Sequence, residues 1–214
     1  MRFNWRDLAR ALLDSIMPPR SSERIVRGLS IGELASLAHT GEAHAGRHSF
    51  SYLLPYRDKQ VTALIWELKY RRNARAISLA TALLAEEITA LASEALAPPL
   101  LIPIPMHSAR LHERGHNQTE LLGAAVAAEC AGICEYAPRA LMRVRHTPPQ
   151  QGQPRSKRLS NVRDSMRAMD PSLVEGRACI VIDDVATTGA TMQEARRALR
   201  VAGADAVYCL ALAG

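Results

Sequence analysis

The sequence predicts an α/β fold with a central, mostly parallel sheet flanked by helices, preceded by a small, mainly helical N-terminal region. Two observations carry this. Twice a continuous apolar run, LLIPIP at 100–105 and ACIVIDDV at 178–185, leads into a polar loop and then into a stretch of helical period. Strands that alternate with helices build parallel sheets covered on both faces, and such strands are apolar throughout rather than at every second residue. With 214 residues, 48% of them hydrophobic and 22% charged, the chain can bury one full core and a smaller appendage, so disorder is not the default.

Taken in order, residues 4–17 place Trp5, Leu8, Leu12 and Ile16 near helical spacing, and Pro18 and Pro19 stop the pattern. Residues 20–48 have no strong period. From Arg57 the pattern sharpens: Val61, Leu64, Ile65 and Leu68 fall at i, i+3, i+4 and i+7, and LKYRR closes that helix with positive charge where the helix dipole favours it. Ala80, Leu84, Ile88 and Leu91 stripe a second helix, ended by Pro98 and Pro99. LLIPIP then reads as a buried strand, SARLHERGHNQ as a basic loop, and TELLGAAVAAEC as a helix opened by Thr119.

A short strand is expected at 140–144. After it comes a polar stretch, RHTPPQQGQPRSKRLSNVRDSM, with five Lys or Arg side chains from Arg145 to Arg163. Connections this long inside a compact domain are active-site lids or linkers. The strand ACIVIDDV, the sharp turn ATTGAT, the helix MQEARRALRVAG with Gly203 at its end and the strand ADAVYCLALAG complete the chain. The expected organisation is an N-terminal region at 1–54 and one domain at 55–214.

The net charge of +6 is carried almost wholly by arginine, since Lys59, Lys69 and Lys157 are the only lysines. That favours anionic partners without choosing among phosphate-bearing small molecules, nucleic acid and acidic proteins. Cys130, Cys134, Cys179 and Cys209 form no C-x-x-C pair and read as buried, reduced thiols, with no zinc site expected. Charges at Arg2, Arg6, Asp7, Arg10 and Asp14 break up the N-terminus, so the expectation is a cytoplasmic chain with neither signal peptide nor membrane span.

The chemistry points to Asp183 through Thr191. In open α/β sheets ligands sit beyond the carboxyl ends of the strands, where Asp183 and Asp184 fall. The turn that follows supplies Gly189, the hydroxyls of Thr187, Thr188 and Thr191, and backbone N–H groups at a helix start, which together suit a phosphate dianion. Paired carboxylates accept hydrogen bonds from vicinal ribose hydroxyls and stabilise a cationic, oxocarbenium-like ribose. An isolated Asp-Asp at a strand end would only cap and solvate a turn; four apolar residues before it and T-T-G-x-T after it outweigh that interpretation.

IVIDDVATTGAT resembles the phosphoribosyl-pyrophosphate signature of type I phosphoribosyltransferases. LKYRRN at 68–73, PIPMHSARLHERGHNQTELL at 103–122, and R-x-R-H-T-P-P-Q-Q with R-L-S-N-V-R between 143 and 163 narrow the resemblance to the ComF family of competence-associated proteins, over roughly residues 50–214. The resemblance implies that Asp183 and Asp184 are the catalytic acids on the ribose hydroxyls and that Ala186, Thr187, Thr188, Gly189, Ala190 and Thr191 bind the 5-phosphate. It places Pro105, Met106 and His107, with Arg110 and Arg114 beyond them, at the pyrophosphate loop, and Gln150, Arg158 and Asn161 in a lid over 145–163. It further implies magnesium bridging ribose and pyrophosphate, with no protein metal ligand, and phosphoribosyl pyrophosphate or a nucleotide as ligand. The phosphoribosyl group would pass to an unidentified nitrogen acceptor.

The same resemblance admits a non-catalytic module that works in DNA uptake beside a helicase-like partner; a homodimer is left open, since the sequence does not fix the oligomeric state. Most family members begin with a cysteine-rich zinc module, whereas residues 1–54 contain no cysteine, so no role of that module carries over. Direct DNA binding is disfavoured on two grounds: aromatics make up 4% of the chain, and its Trp and Tyr fall mostly at helical positions. For Lys69 and Arg71, simple charge at a helix end is as good an account as function.

Overall fold

The computed structural model describes residues 20–38, 41–45, 48–145 and 163–214, so the helix expected over 4–17 and the body of the expected lid, with Gln150, Arg158 and Asn161, lie outside the described residues. In chain order the elements are α1 (Ser21–Gly28), α2 (Ile31–Leu37), β1 (Gly41–Ala45), β2 (His48–Leu54), α3 (Lys59–Arg71), α4 (Ala74–Ser93), β3 (Leu100–Pro103), α5 (Ser108–Arg114) and α6 (Gln118–Glu129). There follow β4 (Glu135–Tyr136), β5 (Leu141–Arg143), β6 (Met166–Ala168), α7 (Pro171–Val174), β7 (Ala178–Val185), α8 (Ala190–Val201) and β8 (Ala206–Ala213).

The main sheet has the order β1-β2-β8-β7-β3-β4, parallel throughout except for the β1–β2 hairpin. Its central strands are apolar along their whole length because both faces are covered. Ile180, Ile182, Leu210 and Leu212 turn to one buried cluster, shared with α1, α3, α4 and α6. Cys179, Val181, Cys209 and Ala211 turn to the other, under α8, α7 and β5–β6. α4 is long and apolar enough to cross a bilayer, but its Leu79, Leu83, Leu84 and Ile88 are buried in the core.

The structure departs from the sequence reading in several places. Residues 20–48, without a strong period, hold α1, α2 and β1, and β2 follows to complete a hairpin. Each of these short helices buries one residue, Val26 or Leu34, and β1 (GEAHA) has no apolar run, so neither leaves a periodic trace. Strand β2 hydrogen-bonds parallel to β8, with Ser51 opposite Leu210 and Leu54 opposite Ala213, so residue 54 ends a strand of the central sheet. SARLHERGHNQ is not a loop: residues 108–114 are α5, whose polar composition hides it, with the His107 ring accepting from Ala109 N–H at 3.2 Å and Gly115 ending it at φ 73. Asn117, not Thr119, opens α6, its Oδ1 accepting from Thr119 N–H at 3.1 Å. β5 and β6 form an antiparallel ribbon at the two ends of the expected lid.

Candidate active site at the strand ends

β7 and β3 end side by side, and the strand-to-helix turn after β7 lies at that edge. Gly189 caps α8 with φ 68, a left-handed conformation that glycine adopts without the steric cost a Cβ would bring. Among the described residues, no acceptor meets the amides of Thr187, Thr188, Gly189, Thr191 or Met192, and Ala190 N–H has only a long contact with Thr188 Oγ1, at 3.5 Å. These N–H groups, at the positive end of a helix of 12 residues, form an anion cradle. Ala186 is the exception to the expected set. Its N–H donates to Ala213 O at 2.9 Å, because the chain still follows the sheet there, and it has no amide to offer a phosphate.

The acids upstream are held from three directions. Asp184, 4% exposed, accepts from Gln118 Nε2 at 2.9 Å on one oxygen and faces Lys69 Nζ at 3.4 Å with the other. Asp183 Oδ1 accepts from Asp184 N–H at 2.9 Å and from the Thr119 hydroxyl at 3.4 Å. Burial, and after it the neighbouring Asp184 charge, push the Asp183 carboxyl up to about 7, with Lys69 and Arg143 pulling the other way. Asp183 is therefore a carboxyl that can give up its proton near neutral pH when positive charge arrives.

Gln118 was not singled out in the sequence, Thr119 was read only as a helix opener, and Lys69 had an equally good account as helix-end charge. Lys69 comes from the last turn of α3, and the other two from the first turn of α6, across 64 to 66 residues of chain. Their one signal was membership in LKYRRN and GHNQT. Gln118 Oε1 is buried with no partner among the described residues, so a second oxygen beside Asp184 awaits a donor.

At the expected pyrophosphate loop, Ile104 O accepts from Asn117 Nδ2 at 3.1 Å and Pro105 O from Arg143 Nε at 3.3 Å, which fixes the chain after β3. His107 spends its Nδ1 on capping α5, and Arg110 and Arg114 both stand on that helix. Arg72 joins α3 to the end of α5 by donating to Gly115 O at 3.0 Å. The ribbon β5–β6 is anchored by Glu194 of α8, which accepts from Met166 N–H at 3.0 Å and from Arg197 at 2.9 Å.

The donor set fits a substrate-bridged magnesium ion. Carboxylate oxygens are the hard ligands magnesium takes, one or two at a time beside phosphate oxygens. Among the described residues no group of three His, Cys, Asp or Glu is assembled, and both Asp184 oxygens already face Gln118 and Lys69, so an ion here would be held chiefly by its substrate, with Asp183 the nearest carboxylate to add an oxygen.

Residues 77–214 match the model of the family described as phosphoribosyl transferase domain. The DNA utilization protein YhgH of Salmonella typhi is 33% identical over 154 residues, 70% of this chain and 66% of that protein. YhgH of Escherichia coli strain K12 is 32% identical over 159 residues with the same coverage, and Competence protein F of Haemophilus influenzae is 29% identical over 119 residues, 54% of this chain and 50% of its own. The chain thus spans just under two thirds of the YhgH proteins. A solved structure of the allosteric regulatory enzyme of purine biosynthesis covers 69% of this chain and 30% of its own at 22% identity, with a TM-score of 0.39.

Proposed function

The chain belongs to the ComF family, of type I phosphoribosyltransferase fold, and from that premise we propose that it binds phosphoribosyl pyrophosphate with magnesium and transfers the phosphoribosyl group to a nitrogen acceptor, releasing pyrophosphate. The observation that carries this reading is the run of unpartnered amides around Gly189 directly after two carboxylates held by Lys69, Gln118 and Thr119. The amides meet the 5-phosphate. Asp183 and Asp184 accept from the ribose hydroxyls, leaving Gln118 Oε1 to take one further donor. As the acceptor nitrogen bonds to the anomeric carbon and the bond to pyrophosphate breaks, positive charge grows on the ribose beside two fixed carboxylates, which lowers the barrier without a protein nucleophile. Magnesium, when bound, neutralises the departing pyrophosphate. Residues 146–162, between the anchored strands of the β5–β6 ribbon, have the length and polarity to cover the site and keep water from the ribosyl cation.

The names of the relatives, DNA utilization and competence, support a setting in DNA uptake or use; a helicase-like partner there rests on the sequence resemblance alone. The test is magnesium-dependent pyrophosphate release from phosphoribosyl pyrophosphate across a panel of nitrogenous bases, comparing wild type with Asp184→Asn. Release that falls by roughly 100-fold in the variant is expected, the scale on which one preorganised electrostatic group acts. Tight binding of the sugar phosphate with no turnover for any base would instead favour a binding module that has kept the site and lost the chemistry.

A further inference from the structure

A cavity of about 770 Å³ opens beside α8 and takes no part in the strand-end chemistry. Arg163, Arg196, Arg197 and Arg200 line it, with Glu194 as the one acid among the described residues of its wall. Carboxylates neutralise these four cations unevenly. Arg197 takes Glu194 at 2.9 Å and Asp164 at 3.5 Å, while Arg163 only approaches Asp164, at 3.9 Å, where both side chains are exposed. Arg200 donates to the carbonyls of Ala204 and Asp205 and meets no carboxylate among the described residues. Arg196 meets none there either, and its Nε is buried without an acceptor, a costly state for a charged donor. The rest of the wall, apart from Gln193, is apolar: Ala190 at one end, Val201 and Val207 at the other.

We propose that this cavity is a second ligand site, for a nucleoside diphosphate, with the phosphates on Arg196 and Arg200 and the nucleoside against Val201 and Val207. Arg196 and Arg200 stand four residues apart on one helix, so they are neighbours and can each meet one phosphate. Guanidinium forks match phosphate oxygens, and their planes also stack on flat rings. The cavity falls within the roughly 300–1,000 Å³ of small-molecule sites. An extended polyanion would be met by charge spread over open surface; here the charges converge on a concave volume. Ala190 also belongs to the cradle, but Arg196 and Arg200 lie about two and three helical turns beyond Gly189. Val207 pairs with Cys179 near the start of β7, whereas the cradle follows the end of that strand. The site is thus separate from the one proposed for the sugar phosphate and does not depend on it.

The experiment titrates the full chain with ADP and, in parallel, UDP by isothermal calorimetry, in EDTA and with excess ribose 5-phosphate present to occupy the cradle. At least one diphosphate should bind, one per chain, and adenosine and uridine should not. Arg163→Gln with Arg196→Gln should weaken binding about tenfold or more, the scale of one lost hydrogen bond to a charged group. Val201→Glu removes no hydrogen bond, sets an acid at the apolar end and should weaken binding too. If neither diphosphate binds wild type, the proposal is overturned. It is overturned equally by binding that both variants leave unchanged, or that sulfate at equal concentration abolishes, which would mean charge alone. Circular dichroism melts report whether the variants fold; should the arginine pair fail to, Val201→Glu decides. Diphosphate binding unchanged in Asp184→Asn keeps this result apart from the phosphoribosyl reading, and if ribose 5-phosphate fails to bind, that reading falls while the arginine and Val201 variants still judge this one.

Discussion

Folding moves the Asp183 carboxyl well away from its ordinary range. Burial first, then the Asp184 charge, raise its carboxyl from 3.8 to about 7. A carboxyl raised by folding binds its proton more tightly in the folded chain, so its contribution to stability is fully present below 3.8 and is lost as the pH climbs through about 7. Asp183→Asn removes that penalty. The variant should melt close to wild type at pH 4 and above it at pH 8, by about 1–2 kcal/mol or roughly 2–8 °C in Tm for a chain of this size. Circular dichroism melts at the two pH values decide it, and a gain of equal size at both would mean that the amide merely packs better. A ligand that brings positive charge to the site should expel the Asp183 proton, which links affinity for a magnesium-bound sugar phosphate to pH in the same window.

At the scale of elements, Glu194 joins the helix that starts at the anion cradle to the ribbon that carries the expected lid. It is 4% exposed; burial pushes its carboxyl up, but hydrogen bonds from Arg197 and from Met166 N–H more than offset this and hold it below the usual range. Glu194→Ala leaves Met166 N–H and the Arg197 guanidinium without their acceptor and should cost about 2–4 kcal/mol in urea unfolding, with faster hydrogen exchange at Met166 as the local signature. A loss below 0.5 kcal/mol, on the scale of an ordinary exposed surface change, would show the link to be incidental. The same scale separates what the sequence revealed from what it hid. β7, β8, α3 and α4 were legible because long elements repeat their period several times, and the cradle because its residues are contiguous. β4, β6 and α7, of two to four residues, repeat nothing. Gln118 and Lys69 reach Asp184 only through tertiary packing, which no local pattern records.

For the whole molecule, the question is where the folding unit begins. Sequence periodicity drew a boundary after residue 54, and the family match starts at residue 77. Yet β2 pairs with β8 along Ser51–Leu54, Phe50 is buried on one side of the sheet, and Val26, Leu29, Leu34, Leu53 and Leu54 are buried on the other. Removing residues 1–54 would leave the β8 edge unpaired, a template for association between chains. It would also uncover the surfaces these six side chains cover, worth about 1.5–3 kcal/mol each, a sum comparable with the roughly 5–15 kcal/mol that holds a domain folded. The fragment 55–214 should therefore be poorly soluble and lack a cooperative thermal transition, whereas the full chain melts in one. Soluble yield and circular dichroism melting of the two proteins, side by side, are the measurement. If the fragment melts cooperatively within a few degrees of the full chain and binds ribose 5-phosphate equally well, the first 54 residues are a dispensable attachment. If it does not, the sugar-phosphate cradle depends on a hairpin at the opposite edge of β8, through the sheet they share.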